Sequence, residues 1–200
     1  MKILQYLFIC LSHKILKILP YTLIRILSVP IGTLYYLLTF RSSIKLFNRS
    51  KIFKKLSIDY KPLIVKINYT RYWLETLWLT NKNFSKHITP HVEIENQEYV
   101  DKLKKQYPGL IFALPHLGNW EFAIPIGNSI KLNLLAVAEP LSNSYVLNWF
   151  KSLRESLGIE IIIGGKGQNT FDLLVNKLKS GKDICLLSES CLLYTSPSPR

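Results

Sequence analysis

From residue 107 onward the apolar positions fall into a regular alternation of two periods. Short, mainly apolar runs at 110–114, 134–138, 159–163 and 184–187 read as buried strands, the third of them isoleucine apart from Glu160. Between them, residues 119–130, 143–157 and 170–179 carry apolar residues at helical spacing. Pro125 interrupts the first helix or delays its start, Asn169 or Thr170 caps the third, and Gly181 ends it. Strands alternating with helices predict an α/β fold, with a largely parallel sheet covered by helices on both faces. Upstream the pattern is less regular. Residues 97–106 read as a short charged helix, 92–95 as a strand, 83–91 as a loop, and 69–81 as an aromatic-rich helix that is buried or faces a membrane.

The first forty residues are dominated by Leu, Ile, Tyr and Phe, and read as two amphipathic helices, 3–19 and 21–40. The longest stretch without a charge is residues 26–40, and it contains Pro30 and Gly32. A membrane span needs about 20 apolar residues, so the pattern favours helices lying in a membrane interface or dipping into it. A signal peptide is disfavoured by the lack of a small-residue cleavage site before His13 and Lys14.

Charge sharpens this picture. The chain has 200 residues and a net charge of +13, but residues 1–58 hold ten Lys and Arg and no acid, whereas the remainder is nearly balanced. Basic residues set among apolar ones suit an anionic membrane surface; a nucleic-acid arm is polar between its charges. Six of the basic residues fall between Arg41 and Lys55. The expected organisation is a membrane-associating helical segment at 1–58 and an α/β domain at 59–190. Cys10, Cys185 and Cys191 have neither metal-ligand nor disulfide spacing.

The chemistry concentrates at 110–122, LIFALPHLGNWEF. His116 and Glu121 are five apart, which on one regular helix would separate them by roughly 140°. They can meet if His116 sits in the turn after the strand and Glu121 in the first turn of the helix, a geometry favoured by Pro115 and Gly118. A carboxylate beside an imidazole fixes its tautomer and raises its basicity, giving a general base for a hydroxyl. Arg154, followed by Gly158, stands near the end of the next helix, where a guanidinium can clamp a phosphate or complement the helix dipole. The Gly164–Gly167 stretch lacks Walker spacing.

PHLGNWE resembles the first motif block of the lysophospholipid acyltransferase superfamily. More narrowly it is similar to that of the bacterial lipid A biosynthesis and phosphatidylinositol mannoside acyltransferases. SLRESLGIEIII and DICLLSE extend the resemblance across Arg154 and to Glu189. It implies a fold like that of glycerol-3-phosphate acyltransferase, and transfer of an acyl chain from acyl-CoA or acyl carrier protein to a hydroxyl of a membrane glycolipid. His116 would be the general base, with Glu121 or Glu189 orienting it. Gly118, Asn119 and Arg154 would bind substrate, and backbone N–H groups at the start of the Asn119 helix would stabilise the oxyanion. No cofactor, metal or covalent acyl-enzyme is implied, nor is nucleic acid as a partner. Membrane lipids and an acyl thioester would be the partners, at the cytoplasmic face of the inner membrane. Glu121 stands where the mannoside branch commonly has Asp, although ESLGIEIII and CLLSE lean toward that branch. A non-catalytic membrane-binding protein on the same scaffold is the alternative. Past Glu189 the resemblance stops, and the Ser/Pro-rich ending at 191–200 reads as a non-native tail on a C-terminally truncated fragment.

Overall fold

The computed structural model describes residues 2–39, 61–115, 118–164 and 169–187. They fall into two compact units, one formed by Cys10–Asn83 and the other by Met1–Ile9 with Phe84–Arg200. Helix α1 (Lys2–Leu16) contributes to both.

The first unit is helical. Helix α2 (Tyr21–Leu38) packs along α3 (Pro62–Trp78). Their backbones come close at Gly32, where a Cβ would lie 2.6 Å from the Cα of Ile67. Ile24, Trp78 and Leu79 form its most deeply buried apolar surface. Polar groups tie the end of α1 and its following turn to the end of α3: Trp78 Nε1 donates to the Leu19 carbonyl (2.9 Å), and Asn81 Nδ2 to that of Lys17 (2.5 Å). His13 Nδ1 meets the Leu77 carbonyl at 2.8 Å. Buried Glu75 accepts from the Tyr21 hydroxyl at 2.9 Å. By length and composition α2 is apolar enough to cross a membrane, a capacity the interruptions at Pro30 and Gly32 do not remove, because Pro30 lies inside the continuous helix.

The second unit is α/β. After the short helix α4 (Phe84–His87) and a 3₁₀ turn at Thr89–His91 comes α5 (Gln97–Gln106). Residues 92–95 do not form the expected strand. This segment runs into Asn96, whose left-handed φ of +56° turns the chain directly into α5. The sheet strands are β1 (Ile111–Leu114), β2 (Leu134–Ala138), β3 (Glu160–Ile163) and β4 (Asp183–Leu187), all parallel and ordered β1-β4-β2-β3. Helix α6 (Ala123–Ser129) packs on β2, α7 (Ser144–Ser156) on β3, and α8 (Thr170–Lys179) on β4. Ile124, Leu134, Ile159 and Ile161 form the core cluster, with Cys185 packed against it. Burial first, and Asp183 second, push the Cys185 thiol up to about 11, so it stays protonated at neutral pH, a core filler rather than a nucleophile.

At the amino edge of the sheet, the fully buried Asp183 carboxylate takes both oxygens to Lys104 Nζ (2.8 and 2.9 Å). It also accepts the backbone N–H groups of Leu110 (3.0 Å) and Asn133 (2.8 Å). One side chain thus ties α5 and the entries to β1 and β2 to the start of β4.

Candidate active site

Because all four strands run parallel, their carboxyl ends share one edge, the place where ligands bind in open α/β sheets. β1 leaves this edge at Leu114 and β4 at Leu187, and these two residues are register partners. His116 follows Leu114 by two positions, and Glu189 follows Leu187 by two. Both lie outside the described residues, as do Gly165–Gly167 and residues 191–200.

The turn after β1 is described again from Gly118, which has φ of +61°, a conformation that side chains with a Cβ rarely adopt. Asn119 then starts a 3₁₀ turn at Trp120–Phe122, its Oδ1 accepting from the Glu121 N–H at 3.2 Å. The Phe122 N–H donates to the Asn119 carbonyl at 3.1 Å. Two of the N–H groups proposed for an oxyanion are therefore already engaged by Asn119. The regular helix begins only at Ala123, so that Pro125 falls in its first turn, where no intrahelical N–H is required.

Glu121 is 2% exposed, and Arg154 meets it in a two-pronged pair: Nε donates to Oε2 at 3.0 Å and Nη2 to Oε1 at 2.5 Å. Arg154 sits in the last turn of α7, its guanidinium 5.6 Å from the centre of the Phe150 ring. Gly158, just beyond, has φ of +91°, and a Cβ there would lie 2.7 Å from Asn128 Nδ2, which donates to the Leu157 carbonyl. The Arg-x3-Gly spacing is thus a helix end, with Arg154 turned to Glu121 and Gly158 making room for α6. The Nε/Nη2 fork that suits a phosphate is occupied by the carboxylate.

The sequence marked Glu121 and Arg154 separately, but not their pairing across 33 positions, for which no local pattern exists. It also passed over Asn143, the residue before α7. Asn143 is 7% exposed and, among the described residues, its buried Oδ1 has no hydrogen-bond partner.

Comparison with known proteins identifies the family. The family described as bacterial lipid A biosynthesis acyltransferase matches residues 1–196. The chain is 30% identical over 131 residues to a phosphatidylinositol mannoside acyltransferase of Mycobacterium tuberculosis (strain CDC 1551 / Oshkosh), covering 64% of this chain and 41% of the relative. It is 29% identical over 126 residues to the protein of that name from Mycolicibacterium smegmatis, covering 61% of this chain and 40% of the relative. The chain therefore spans about two-fifths of the length of these relatives. Matched by this family's model over nearly its whole length, the chain belongs to the bacterial lipid A biosynthesis acyltransferase family.

Proposed function

We propose that the protein transfers a fatty acyl chain from a thioester, acyl-CoA or acyl carrier protein, to a hydroxyl of a membrane glycolipid. His116 is the general base. It takes the acceptor proton as the oxygen attacks the thioester carbonyl; the tetrahedral intermediate collapses, the C–S bond breaks, and the imidazolium returns the proton to the leaving thiolate. We assign Glu189 as the carboxylate that orients His116. The observation that carries this is the β1–β4 ladder: Leu114 and Leu187, each two residues before one of these side chains, are in register on neighbouring strands. Both carboxylate oxygens of Glu121 already accept from Arg154. In this reading the pair positions the turn that carries the base, and the Nε/Nη2 edge of Arg154 is taken by Glu121. The names of the mycobacterial relatives favour a phosphatidylinositol mannoside as the acceptor over a lipid A precursor. The reaction takes place at the cytoplasmic face of the plasma membrane, where acceptor and acyl chain both partition.

The test is acyl transfer by the purified full-length protein. Labelled acyl-CoA and labelled acyl carrier protein are offered with phosphatidylinositol mannosides and lipid A precursors in parallel. The expected result is label in one acceptor, lost by at least about a hundredfold in His116→Ala. Glu189→Gln should lower turnover while leaving the acceptor KM nearly unchanged. Full turnover in folded His116→Ala would remove its role, and label in no acceptor would overturn the proposed reaction.

A further inference from the structure

Lys66 of α3 is 9% exposed, the one lysine or arginine among the described residues that is buried. Tyr21 of α2 meets Glu75 and Trp78 of α3, and Gly32 meets Ile67, so the two helices run antiparallel and Lys66 lies against the last turns of α2. There its Nζ stands over the Tyr35 ring, 4.1 Å from the centroid. Among the described residues Lys66 has neither a carboxylate nor a hydrogen-bond acceptor. Glu75 is the only acid of either helix. It stands nine positions further on, roughly 14 Å along the axis, and accepts from Tyr21. A ring face recovers only a fraction of what an ammonium loses on leaving water. Nor is this ammonium sealed in. Among the described residues the unbonded side-chain atoms closed to solvent are Arg71 Nε and Asn143 Oδ1; Lys66 Nζ, also unbonded, still reaches solvent.

Two phenols share this place. Tyr69, one turn after Lys66, stacks on Tyr35 with ring centroids 6.4 Å apart, and neither hydroxyl is hydrogen-bonded among the described residues. Apolar surface adjoins them: Leu34 and Leu38 flank Tyr35 on α2, Leu63 lies one turn before Lys66 on α3, and all three are exposed. An ammonium without a carboxylate, beside two unbonded phenols, suits a phosphate, whose oxygens accept from all three. The exposed leucines suit hydrocarbon. A free phosphate gains nothing from the leucines and a neutral lipid nothing from the ammonium; a phospholipid uses both.

We propose that the α2–α3 pair binds one anionic phospholipid, with its phosphate on Lys66 Nζ and the Tyr35 and Tyr69 hydroxyls, and its acyl chains along Leu34, Leu38 and Leu63. The occupant is a resident lipid, neither donor nor acceptor, so the site stands apart from the transfer reaction proposed above and does not rest on it. It also differs from the attraction of exposed cations by a charged surface, which is diffuse and screened by salt. Here a single lipid answers a buried cation that has no counter-ion of its own, and such a lipid stays with the protein when the bilayer is removed. A headgroup with its own cation, such as phosphatidylcholine, answers its phosphate internally and is the poorer ligand.

The test is native mass spectrometry of the full-length protein in a neutral detergent, titrated with dioleoylphosphatidylglycerol, dioleoylglycerol or inorganic phosphate. One phosphatidylglycerol should stay bound. Lys66→Gln should weaken it about tenfold, and Tyr35→Phe, which keeps the ring and removes a hydroxyl, should weaken it less. Dioleoylglycerol, which has no phosphate, should bind weakly and equally to the unaltered protein and to Lys66→Gln. Thermal unfolding adds a readout that a lost contact alone would not move. Lys66→Met removes the unanswered charge, so in detergent alone its Tm should exceed that of the unaltered protein by about 2 °C or more. Phosphatidylglycerol should then raise the Tm of the unaltered protein and not that of Lys66→Met. A lower Tm for Lys66→Met in detergent, equal retention of phosphatidylglycerol by Lys66→Gln, or dioleoylglycerol held as tightly as phosphatidylglycerol would overturn the inference. Inorganic phosphate that stabilises as well as the lipid at equal concentration would overturn it too, by making this a site for the free anion.

Discussion

Glu121 carries a charge in a place almost closed to water, and such a group persists only where the charge is answered. Arg154 answers it through two N–H···O bonds. Removing one partner strands the other, so Glu121→Gln or Arg154→Ala should each lower stability by about 3 kcal/mol, measured by urea unfolding. The double substitution Glu121→Leu with Arg154→Met leaves no orphan charge and should recover most of that loss. If the pair positions the base, transfer stays low in the double variant although its stability returns; recovery of both together would show that the pair merely fills space. The motif around His116 marked Glu121 as a candidate acid, and the helix end marked Arg154 as a cation. What the sequence could not supply was direction. A guanidinium offered to a phosphate and one turned inward onto a carboxylate have the same local pattern, and only the tertiary fold chooses between them.

Among the elements, the strands and intervening helices of the α/β unit were legible because each is a stretch of one apolar period bounded by turn residues. Their order was not. β4 is the last of these strands in sequence yet lies between β1 and β2, and periodicity says which residues are buried without saying which strand is the neighbour. Asp183 is the residue that holds this order at the amino edge, with Lys104, Leu110 and Asn133 all bonded to a side chain that is fully buried. Asp183→Ala should therefore cost about 3–5 kcal/mol, enough to unfold a marginal domain. A change within 1 kcal/mol would mean that the sheet entries hold without it. A gentler effect belongs to Glu160 at the start of β3, bonded to Lys177 (2.6 Å) and Lys182 (3.0 Å). The hydrogen bond from Lys177, then that from Lys182, lowers its pKa below the ordinary 4.5. The depressed value means that the unfolded chain takes up the proton first. The contribution to stability is present above pH 4.5 and is lost as pH falls through the folded value. Unfolding midpoints measured from pH 6 downward should show that loss, and Glu160→Gln should flatten that part of the curve.

At the scale of the whole molecule, the amino-terminal charge and the exposed apolar surface on the same helices point to one environment. Ile3, Leu4, Leu7, Phe8, Leu11 and Ile15 of α1 are each at least half exposed, and on α2 so are Ile26, Leu34, Leu37 and Leu38. Lys14, Lys17 and Arg25 stand among them, without an acid anywhere in residues 1–58. In water this surface favours aggregation; at an anionic interface the apolar side chains enter and the cations meet phosphate. Helix α2 passes for a span by composition, but its 18 residues rise about 27 Å. That is short of a hydrocarbon core of about 30 Å, and Arg25 lies in its second turn. A crossing would need the bilayer to thin locally; the proposed interfacial position would not. The protein should float with vesicles containing anionic lipid and much less with neutral ones. Replacing Lys14, Lys17 and Arg25 by Gln should weaken that binding at least tenfold, at about 1 kcal/mol per charge near the surface, and Phe8→Glu with Leu11→Glu should abolish it. Alkaline carbonate should release the protein from native membranes, because a helix lying in the interface is held by contacts that titrate and wash away. Retention in the carbonate pellet would put α2 across the bilayer, and the short helix would then have to be met by local thinning of the membrane.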